Sequence, residues 1–370
     1  MSKARELASL GNAYSDGSLS NRNLIINGAM QVAQRGTSKT ITTADTGFKT
    51  VDRFRSKFFG SSWTGVSHTT EEQSTDAPNG FDRSLKLTAL TAQDYSNALG
   101  SWVQYTFENQ NIVSLRDGNG LKEFTVSFWV KASKSGNVTV SVEKNYSYST
   151  YVTVNYADTW EYKSVVIPAT SNDMGIDYSG SPNGSGINLQ LGMGSNGSWL
   201  ASTDGQWNDV STARGVLSAQ QTNFHASVND YIAFTGVQFE VGDTATPFEH
   251  RSYGQELALC QRYYWRLQGN STDQSLVCPA VISGSAQARG MLTFPVLMRA
   301  APTMGEVSLE VLHNGNNAVA SSLVSTLDET AYAIGLNMEA DTGTPFIIGQ
   351  AAAIRLASSA SAYIQADAEL

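Results

Sequence analysis

A chain of 370 residues with a formal net charge of −9 is long enough for two domains, each with its own core. Charged residues make up only 15% of the sequence, and Lys and Arg are scattered singly, which excludes a basic surface that tracks nucleic-acid phosphates. No apolar run approaches the roughly 20 residues that a membrane-spanning helix needs, so insertion into a membrane is excluded as well.

The first twenty residues are predicted to form an arm. KARELASLG has small and apolar residues at helical spacing and ends at Gly11, which is typical of a short amphipathic helix. Such a helix is marginal alone. We therefore expect residues 1–20 to attach to a partner through Ala4, Leu7, Ala8 and Leu10. The arm lacks the apolar core of a secretory signal, which predicts synthesis in the cytoplasm.

Strand signals then recur over residues 21–248. In SWVQYTF, strict alternation sends Trp102 and Gln104 to the face opposite the predicted core, and in FTVSFWV it does the same for Trp129. Many strands with no intervening helices predict an all-β fold, with a jelly-roll β-sandwich that ends near Phe248.

Alternating strands return after the joint, in GMLTFPVLM and in later segments up to AYIQADAEL. They predict a second, smaller β-sandwich domain over residues 249–370. Cys260 and Cys278 are the only two cysteines. Two separately buried thiols are favoured, and a bridge between them is the alternative.

The joint ATPFEHRSYGQELALCQRYYWRL crowds charge and aromatic residues into a short span. Pro247 is expected to end the last strand of the first domain, and Phe248 is predicted to fill a core. Glu249, His250 and Arg251 are predicted to form a hydrogen-bonded cluster between the domains. The second domain should then be packed by Leu257, Leu259, Tyr263 and Tyr264.

Several stretches resemble a family of bacteriophage virion proteins from tail fibres and related appendages. They are NRNLIINGAMQVAQRG followed by VDRFR, FTGVQFEVGDTATPFEHRSYGQELALCQRYY, and the closing PVLMRAAPT and ADAEL. The resemblance implies a structural protein located in the virion, attached to other virion proteins through its N-terminal arm. It also implies a homo-oligomer, most simply a trimer, with the Ala-rich C-terminal strands buried between copies.

The first domain also resembles carbohydrate-binding jelly rolls, through SFWVKA and the pattern of WEYKSVVIP. This resemblance implies binding of a host cell-surface saccharide. Those modules often hold a structural calcium ion on acidic residues, where this chain has Ala29, Met30 and Gln31, and Thr235 before Gly236. Because calcium prefers carboxylate oxygens, no metal and no cofactor are expected.

Catalysis is not expected. The four histidines lie in no motif of a nucleophilic triad, and no paired Cys or His spacing matches a zinc site. A glycan-degrading enzyme needs two carboxylates across a sugar, and the polar loops offer Asp173, Asp177, Asp204 and Asp209. In loops rich in Gly, Ser and Asn, such residues are more often the caps of their own turns.

Tryptophans are the candidate ligand-binding residues, because saccharides stack their apolar C–H faces on aromatic rings. Trp199 and Trp207, in a polar loop, are slightly favoured. The alternative pair is Trp102 and Trp129 on the outward strand face, with Gln104 beside them, unless a loop or a neighbouring subunit covers these rings. Core positions are predicted for Trp63 and Trp160.

The sequence therefore predicts a non-enzymatic virion protein of a tail fibre or similar appendage that adheres to a host-surface saccharide. Two alternatives stay open. One is a capsid-surface decoration protein without a receptor role, and the other is a glycan-degrading tailspike enzyme.

Overall fold

The computed structural model describes residues 22–42, 47–59, 67–95, 100–195, 200–201, 203–211, 215–272, 275–313, 317–327, 330–340 and 346–370. The predicted N-terminal arm lies outside these residues. The described chain forms two compact units, of which the larger runs to Glu256 and includes Leu370, and the smaller spans Leu257–Glu369. No helix within the described ranges is long and apolar enough to cross a membrane.

Both units consist almost entirely of β-strands, which confirms the predicted all-β class. In the larger unit the strands are β1 (Ser38–Thr42), β2 (Phe54–Phe59), β3 (Ser67–Ser74), β4 (Ser84–Ala89), β5 (Gly100–Glu108), β6 (Arg116–Asp117), β7 (Gly120–Leu121), β8 (Phe124–Ala132), β9 (Gly136–Glu143), β10 (Tyr146–Val154), β11 (Glu161–Ile167), β12 (Ser185–Ser195), β13 (Trp207–Asp209) and β14 (Tyr231–Val241). A 3-10 helix, Asn109–Leu115, follows β5.

Two six-stranded antiparallel sheets make up the larger unit. Sheet I has the order β1-β3-β4-β14-β8-β11, and sheet II has the order β13-β10-β9-β12-β5-β2. Strands that follow one another in the chain repeatedly switch sheets, as β4, β5, β8 and β9 do, which is the jelly-roll arrangement that the sequence predicts.

Aromatic rings fill the space between the sheets. The Phe239 ring stacks on Phe124 with 4.5 Å between ring centroids and packs against Phe107 at 4.8 Å. All three side chains are at most 1% exposed. Burying each contributes about 1.5–3 kcal/mol, which explains why alternate positions of β5, β8 and β14 are apolar.

Glu249 and Arg251 bind partners that belong to the larger unit. The Glu249 carboxylate accepts a hydrogen bond from the backbone N–H of Asn23 at 2.7 Å, and Arg251 donates to the carbonyl of Ile25 at 3.0 Å and to Glu256 at 2.9 Å. These contacts join the start of the described chain to the end of the same unit. The predicted cluster between the domains is therefore corrected to a cluster inside one unit.

The smaller unit begins within helix α1 (Tyr253–Gln261), which crosses the division at Glu256. Its strands are β15 (Tyr264–Gln268), β16 (Leu276–Ile282), β17 (Gln287–Thr293), β18 (Thr303–Val307), β19 (Leu309–His313), β20 (Asn317–Leu327), β21 (Ala333–Ala340), β22 (Ala351–Leu356) and β23 (Tyr363–Asp367).

A closed barrel dominates this unit, in the strand order β16-β17-β21-β20-β19-β22, and β15-β23-β18 form a separate three-stranded sheet. The β-sandwich predicted for residues 249–370 is therefore corrected to a closed barrel with a separate three-stranded sheet. Alternation specifies which side of each strand is buried, and a barrel produces the same alternation as a sandwich.

Apolar side chains of β16, β17, β19, β21 and β22 supply buried residues to the core of the barrel, including Ile334, Leu336 and Ile354. Cys278 lies in this core and Cys260 is also buried, and no disulfide bond joins them. The prediction of two separately buried thiols is thus confirmed. Tyr263 and Tyr264 are at most 1% exposed, in agreement with their predicted packing role.

Candidate functional site

Trp102 and Trp129 lie on different outer faces of the larger unit. Trp102 belongs to β5 of sheet II, whereas Trp129 belongs to β8 of sheet I. Both side chains point away from the core, as alternation predicts. They cannot line one ligand site together, because the core of the sandwich separates them.

The outer face of sheet II is covered around Trp102. The Phe59 ring stacks on its indole with 5.1 Å between centroids, and Val216 and Leu217 pack over the ring, which is only 2% exposed. The indole N–H donates to the side-chain oxygen of Gln104, which is 1% exposed. The prediction that Trp102 and Gln104 contact a ligand is therefore corrected, since the chain's own loop covers them.

Residues 215–222, here called the strap, provide this cover. The Ser141 hydroxyl donates to the carbonyl of Val216 at 2.6 Å, and the Ser149 hydroxyl donates to the carbonyl of Gly215 at 3.0 Å. The backbone N–H of Thr139 donates to the Gln221 side chain at 2.7 Å. Serine and threonine on the outward positions of β9 and β10 thus anchor the strap to sheet II.

Polar side chains of sheet II bond to one another beside the strap. The Gln104 amide donates to Asn188 at 2.8 Å, and the Asn188 and Gln190 amides donate to one Glu143 oxygen at 3.2 and 3.1 Å. Such a network satisfies groups that are costly to bury without partners.

Trp207 does not lie at the predicted loop tip. Trp207 lies at the start of β13, the edge strand of sheet II, where it is half-buried and packs against Tyr148 at 5.5 Å between centroids. Its indole N–H donates to the carbonyl of Pro168 at 3.1 Å. Trp199 lies outside the described residues, so its predicted role stays a prediction.

Sheet I carries a row of partly exposed rings on its outer face, here called the aromatic ribbon: Tyr162, Trp129, Phe81, Phe248 and His250. Tyr162 and Trp129 are cross-strand partners with 5.6 Å between ring centroids, and Tyr162 is 44% exposed. Both rings face solvent because Phe128 and Val130 occupy the inward positions of β8.

The other end of the ribbon comes from two loops. Phe81, in the loop before β4, packs against Phe248 at 5.0 Å between centroids, and His250 packs against Phe248 at 4.8 Å. Phe248 is half-buried and His250 is exposed. The prediction that Phe248 fills a core is therefore corrected, because this ring lies on the surface of the larger unit.

Gly236 allows the two halves of the ribbon to meet. It lies at a bulge in β14 with φ of +60°, and a Cβ at this position would be 2.7 Å from the Phe81 ring and 3.0 Å from the Trp129 ring. Any side chain here would push the two rings apart. Glycine also tolerates this left-handed backbone conformation at little cost.

We expect Gly236→Ala to lower the free energy of unfolding by about 2–4 kcal/mol, because an L-residue at positive φ is strained and its Cβ would overlap the two rings. Displacement of Trp129 should also change its fluorescence. Chemical denaturation and emission spectra measure both effects. Gly242→Ala, also at positive φ but with open space around it, should cost less stability and leave the tryptophan emission unchanged.

Asp76 holds polar groups beside the ribbon. One of its oxygens accepts a hydrogen bond from Lys131 at 2.8 Å, and the other accepts from the Trp160 indole at 3.0 Å. Burial alone would raise the pKa of Asp76, but these hydrogen bonds and the lysine charge outweigh it and lower the pKa. Trp160 is half-buried at this surface, which corrects its predicted core position. Trp63 lies outside the described residues.

A shallow depression adjoins the end of the ribbon at Phe248 and His250. Polar side chains line it, among them Asn23, Gln31 and Glu249. Arg251 and Glu256 line it too, and the Arg251 guanidinium donates to the backbone carbonyls of Asn23 and Ile25 and to the Glu256 carboxylate. The guanidinium of Arg251 thus provides the hydrogen-bond donors for these carbonyl and carboxylate oxygens. Across the described residues, no group of three or more His, Cys, Asp or Glu side chains is arranged to hold a metal ion.

The candidate catalytic aspartates cap local structure. Asp173, Asp177 and Asp209 accept hydrogen bonds from backbone N–H groups two or three residues further along the chain. Asp204 accepts from the hydroxyl of Ser218 in the strap at 2.6 Å. These contacts support the interpretation of the four residues as turn and loop anchors.

Neither Phe81 nor Tyr162 is among the ligand-binding residues that the sequence predicts. Tyr162 occupies an outward position of WEYKSVVIP, so alternation could have predicted that its ring is exposed. Phe81 follows the turn residues PNG, and no periodic signal marks a ring there. Only the fold shows that it lies beside Trp129.

No protein-family model and no curated protein matches the chain. Solved structures similar to part of it include the carbohydrate-binding module TmCBM61 in complex with β-1,4-galactotriose, at 7% identity and a TM-score of 0.29, covering 60% of this chain and 100% of the module. A family 11 carbohydrate-binding module of a cellulosomal cellulase of Clostridium thermocellum has 8% identity and a TM-score of 0.29, with coverage of 56% and 96%. A family 30 carbohydrate-binding module has 13% identity and a TM-score of 0.28, with coverage of 65% and 97%.

Proposed function

We propose that the chain is a non-enzymatic structural protein of a bacteriophage particle, part of a tail fibre or similar appendage, and that its larger unit binds a host-surface saccharide. The sequence resemblance to virion appendage proteins supports the first part. The aromatic ribbon, with Trp129 at its centre, is the observation that carries the second part. On this proposal the protein is made in the host cytoplasm and resides in the virion.

The ribbon suits a saccharide better than the other surfaces of the larger unit do. The strap covers Trp102 and its surroundings on sheet II, whereas Trp129 and Tyr162 leave part of their rings open on sheet I. Rings in a row offer successive apolar platforms to the C–H faces of neighbouring sugar units. Gln31, half-buried at the adjoining depression, supplies a hydrogen-bonding group for hydroxyls.

A neutral saccharide is the ligand class we propose. Two lysines on the outer face of sheet I are paired with carboxylates, Lys131 with Asp76 at 2.8 Å and Lys86 with Glu72 at 3.6 Å. Paired charges attract an anionic sugar weakly. Stacking with a few hydrogen bonds gives affinities on the order of millimolar to micromolar per site, so adhesion would require several copies acting together.

Trp129→Ala should weaken saccharide binding at least tenfold, which is about 1.4 kcal/mol, because it removes the central platform of the ribbon. The test measures binding of the full-length protein to a panel of capsular polysaccharides, O-antigen chains and peptidoglycan fragments. Trp207→Ala is the matched control and should bind as the wild type does.

Thermal unfolding of both variants should match the wild type within a few degrees, since neither ring lies in the core. Unchanged binding by Trp129→Ala, with binding lost in Trp207→Ala, would move the site to the edge of sheet II. Absence of wild-type binding to every member of the panel would contradict saccharide adhesion and favour a decoration protein.

A further inference from the structure

The barrel of the smaller unit exposes large apolar side chains on one side. The exposed fractions of Leu276, Val281 and Met291 are 60%, 46% and 64%, and those of Ile347 and Ile348 are 55% and 68%. The face that they form, here called the apolar face, also includes Pro279 and Ala351, which are exposed as well.

Neighbouring strands bring these residues together. Val281 of β16 is the cross-strand partner of Ala351 in β22 and of Arg289 in β17, and Met291 lies two residues beyond Arg289 on the same side of β17. The turn that carries Ile347 and Ile348 is bonded to the end of β16, since the N–H of Gly349 donates to the carbonyl of Ile282 at 2.9 Å. The exposed residues therefore form one surface.

This surface is comparable in area to the largest apolar patches that monomeric proteins expose. Its five large side chains expose on the order of 500 Å² of apolar area, near the upper end of about 300–600 Å² for the largest patch on a typical monomer. A stable interface takes about 800 Å² from each partner, of which the apolar centre is a part. The roughly 500 Å² of the apolar face would supply somewhat over half of that area, as the apolar centre of such an interface.

The closed barrel restricts what can cover the apolar face. Because its six strands hydrogen-bond around a full circle, a peptide cannot bind to these strands by adding one more at an edge. The occupant must instead present an apolar surface of its own. A second copy of the chain presents such a surface by construction, and charges of both signs border it, with Arg289 and Glu339 exposed on neighbouring strands.

We infer that the apolar face joins copies of this chain, with the side chains of β16, β17 and the turn before β22 at the centre of the contact. In a two-fold contact, Arg289 on the border of one copy would face an acidic group such as Glu339 of the other, and such a contact would pair copies rather than close a ring of three. This inference does not depend on saccharide binding. It assigns the oligomer contact to the barrel wall.

Sedimentation equilibrium of the full-length protein at micromolar concentration tests the inference. The wild type should sediment with the mass of two or more chains. Val281→Lys combined with Met291→Lys should raise the protein concentration at which half of the chains are assembled at least tenfold. Ile347→Lys combined with Ile348→Lys should have the same effect from the turn. Val228→Lys, at a residue of the larger unit that is 56% exposed, is the matched control and should assemble as the wild type does.

All substituted positions are exposed, so the circular dichroism and thermal unfolding of the four proteins should agree. A wild type that sediments as a single chain would overturn the inference. So would double variants that assemble as tightly as the wild type. Saccharide binding measured on the dissociated variants separates the two proposals, because a single copy retains the whole aromatic ribbon and should bind with unchanged affinity per site.

Discussion

Replacing Arg251 with alanine should lower the free energy of unfolding of the larger unit by about 3–5 kcal/mol, the cost of breaking a buried ion pair by removing one partner. The Glu256 side chain is 6% exposed and would lose the guanidinium at 2.9 Å. The backbone carbonyls of Asn23 and Ile25 would lose their donor too. Urea denaturation followed by tryptophan fluorescence measures the loss.

Two further variants show whether the arrangement of donors matters. Arg251→Lys retains the charge but cannot donate to both carbonyls and Glu256 in a fixed fork, so it should recover only part of the loss. Arg83→Ala is the control, because that guanidinium donates to the carbonyl of the neighbouring Asp82. A loss below about 1 kcal/mol in Arg251→Ala would contradict a stabilising role of the cluster.

Lowering the pH from 7.5 to 5 should reduce the stability of the wild type through His225 by about 2 kcal/mol. This ring is buried in the sandwich, and burial followed by the charge of His68 lowers its pKa from 6.5 to about 3. The unfolded chain therefore takes up a proton below pH 6.5, whereas the folded chain does not. Stability is present in full above pH 6.5 and is lost as the pH falls towards 3.

Glu71 opposes this effect, because burial raises the pKa of its carboxyl and the folded state then takes up a proton first. The difference between wild type and His225→Gln isolates the histidine. The variant should show a pH dependence that is weaker by about 2 kcal/mol over the same range. Tyr95→Phe removes the partner 3.0 Å from His225 Nδ1 but leaves the imidazole, so its pH dependence should match the wild type. Equal slopes in wild type and His225→Gln would contradict the assignment.

Period-two alternation predicted the strands well because it depends on local burial alone. β5 and β8 have the orientation that their sequences predict, with Trp102 and Trp129 outward. Alternation does not specify the sheet to which a strand belongs, so it could not show that these two rings lie on opposite faces. Sheet membership depends on pairing with strands far away in the chain, such as β12 and β14.

The candidate site was harder to predict for the same reason. Burial of Trp102 depends on the strap, which is more than a hundred residues away in sequence, and on serines of β9 and β10 that bind it. The position of Phe248 against Phe81 also joins distant segments. Of the predicted ligand-binding residues, Trp129 alone is described with an outward ring on the face that we propose as the site.

Saccharide binding at the aromatic ribbon is tested most directly by NMR. The ¹⁵N-labelled protein is titrated with a polysaccharide fragment to which it binds, and the indole N–H signals are followed. Single Trp→Phe variants assign the signals. The Trp129 signal should shift in proportion to occupancy, while the signals of Trp102 under the strap and of Trp207 at the edge of sheet II stay in place. A shift of Trp102 or Trp207 with Trp129 unmoved would contradict the proposed site.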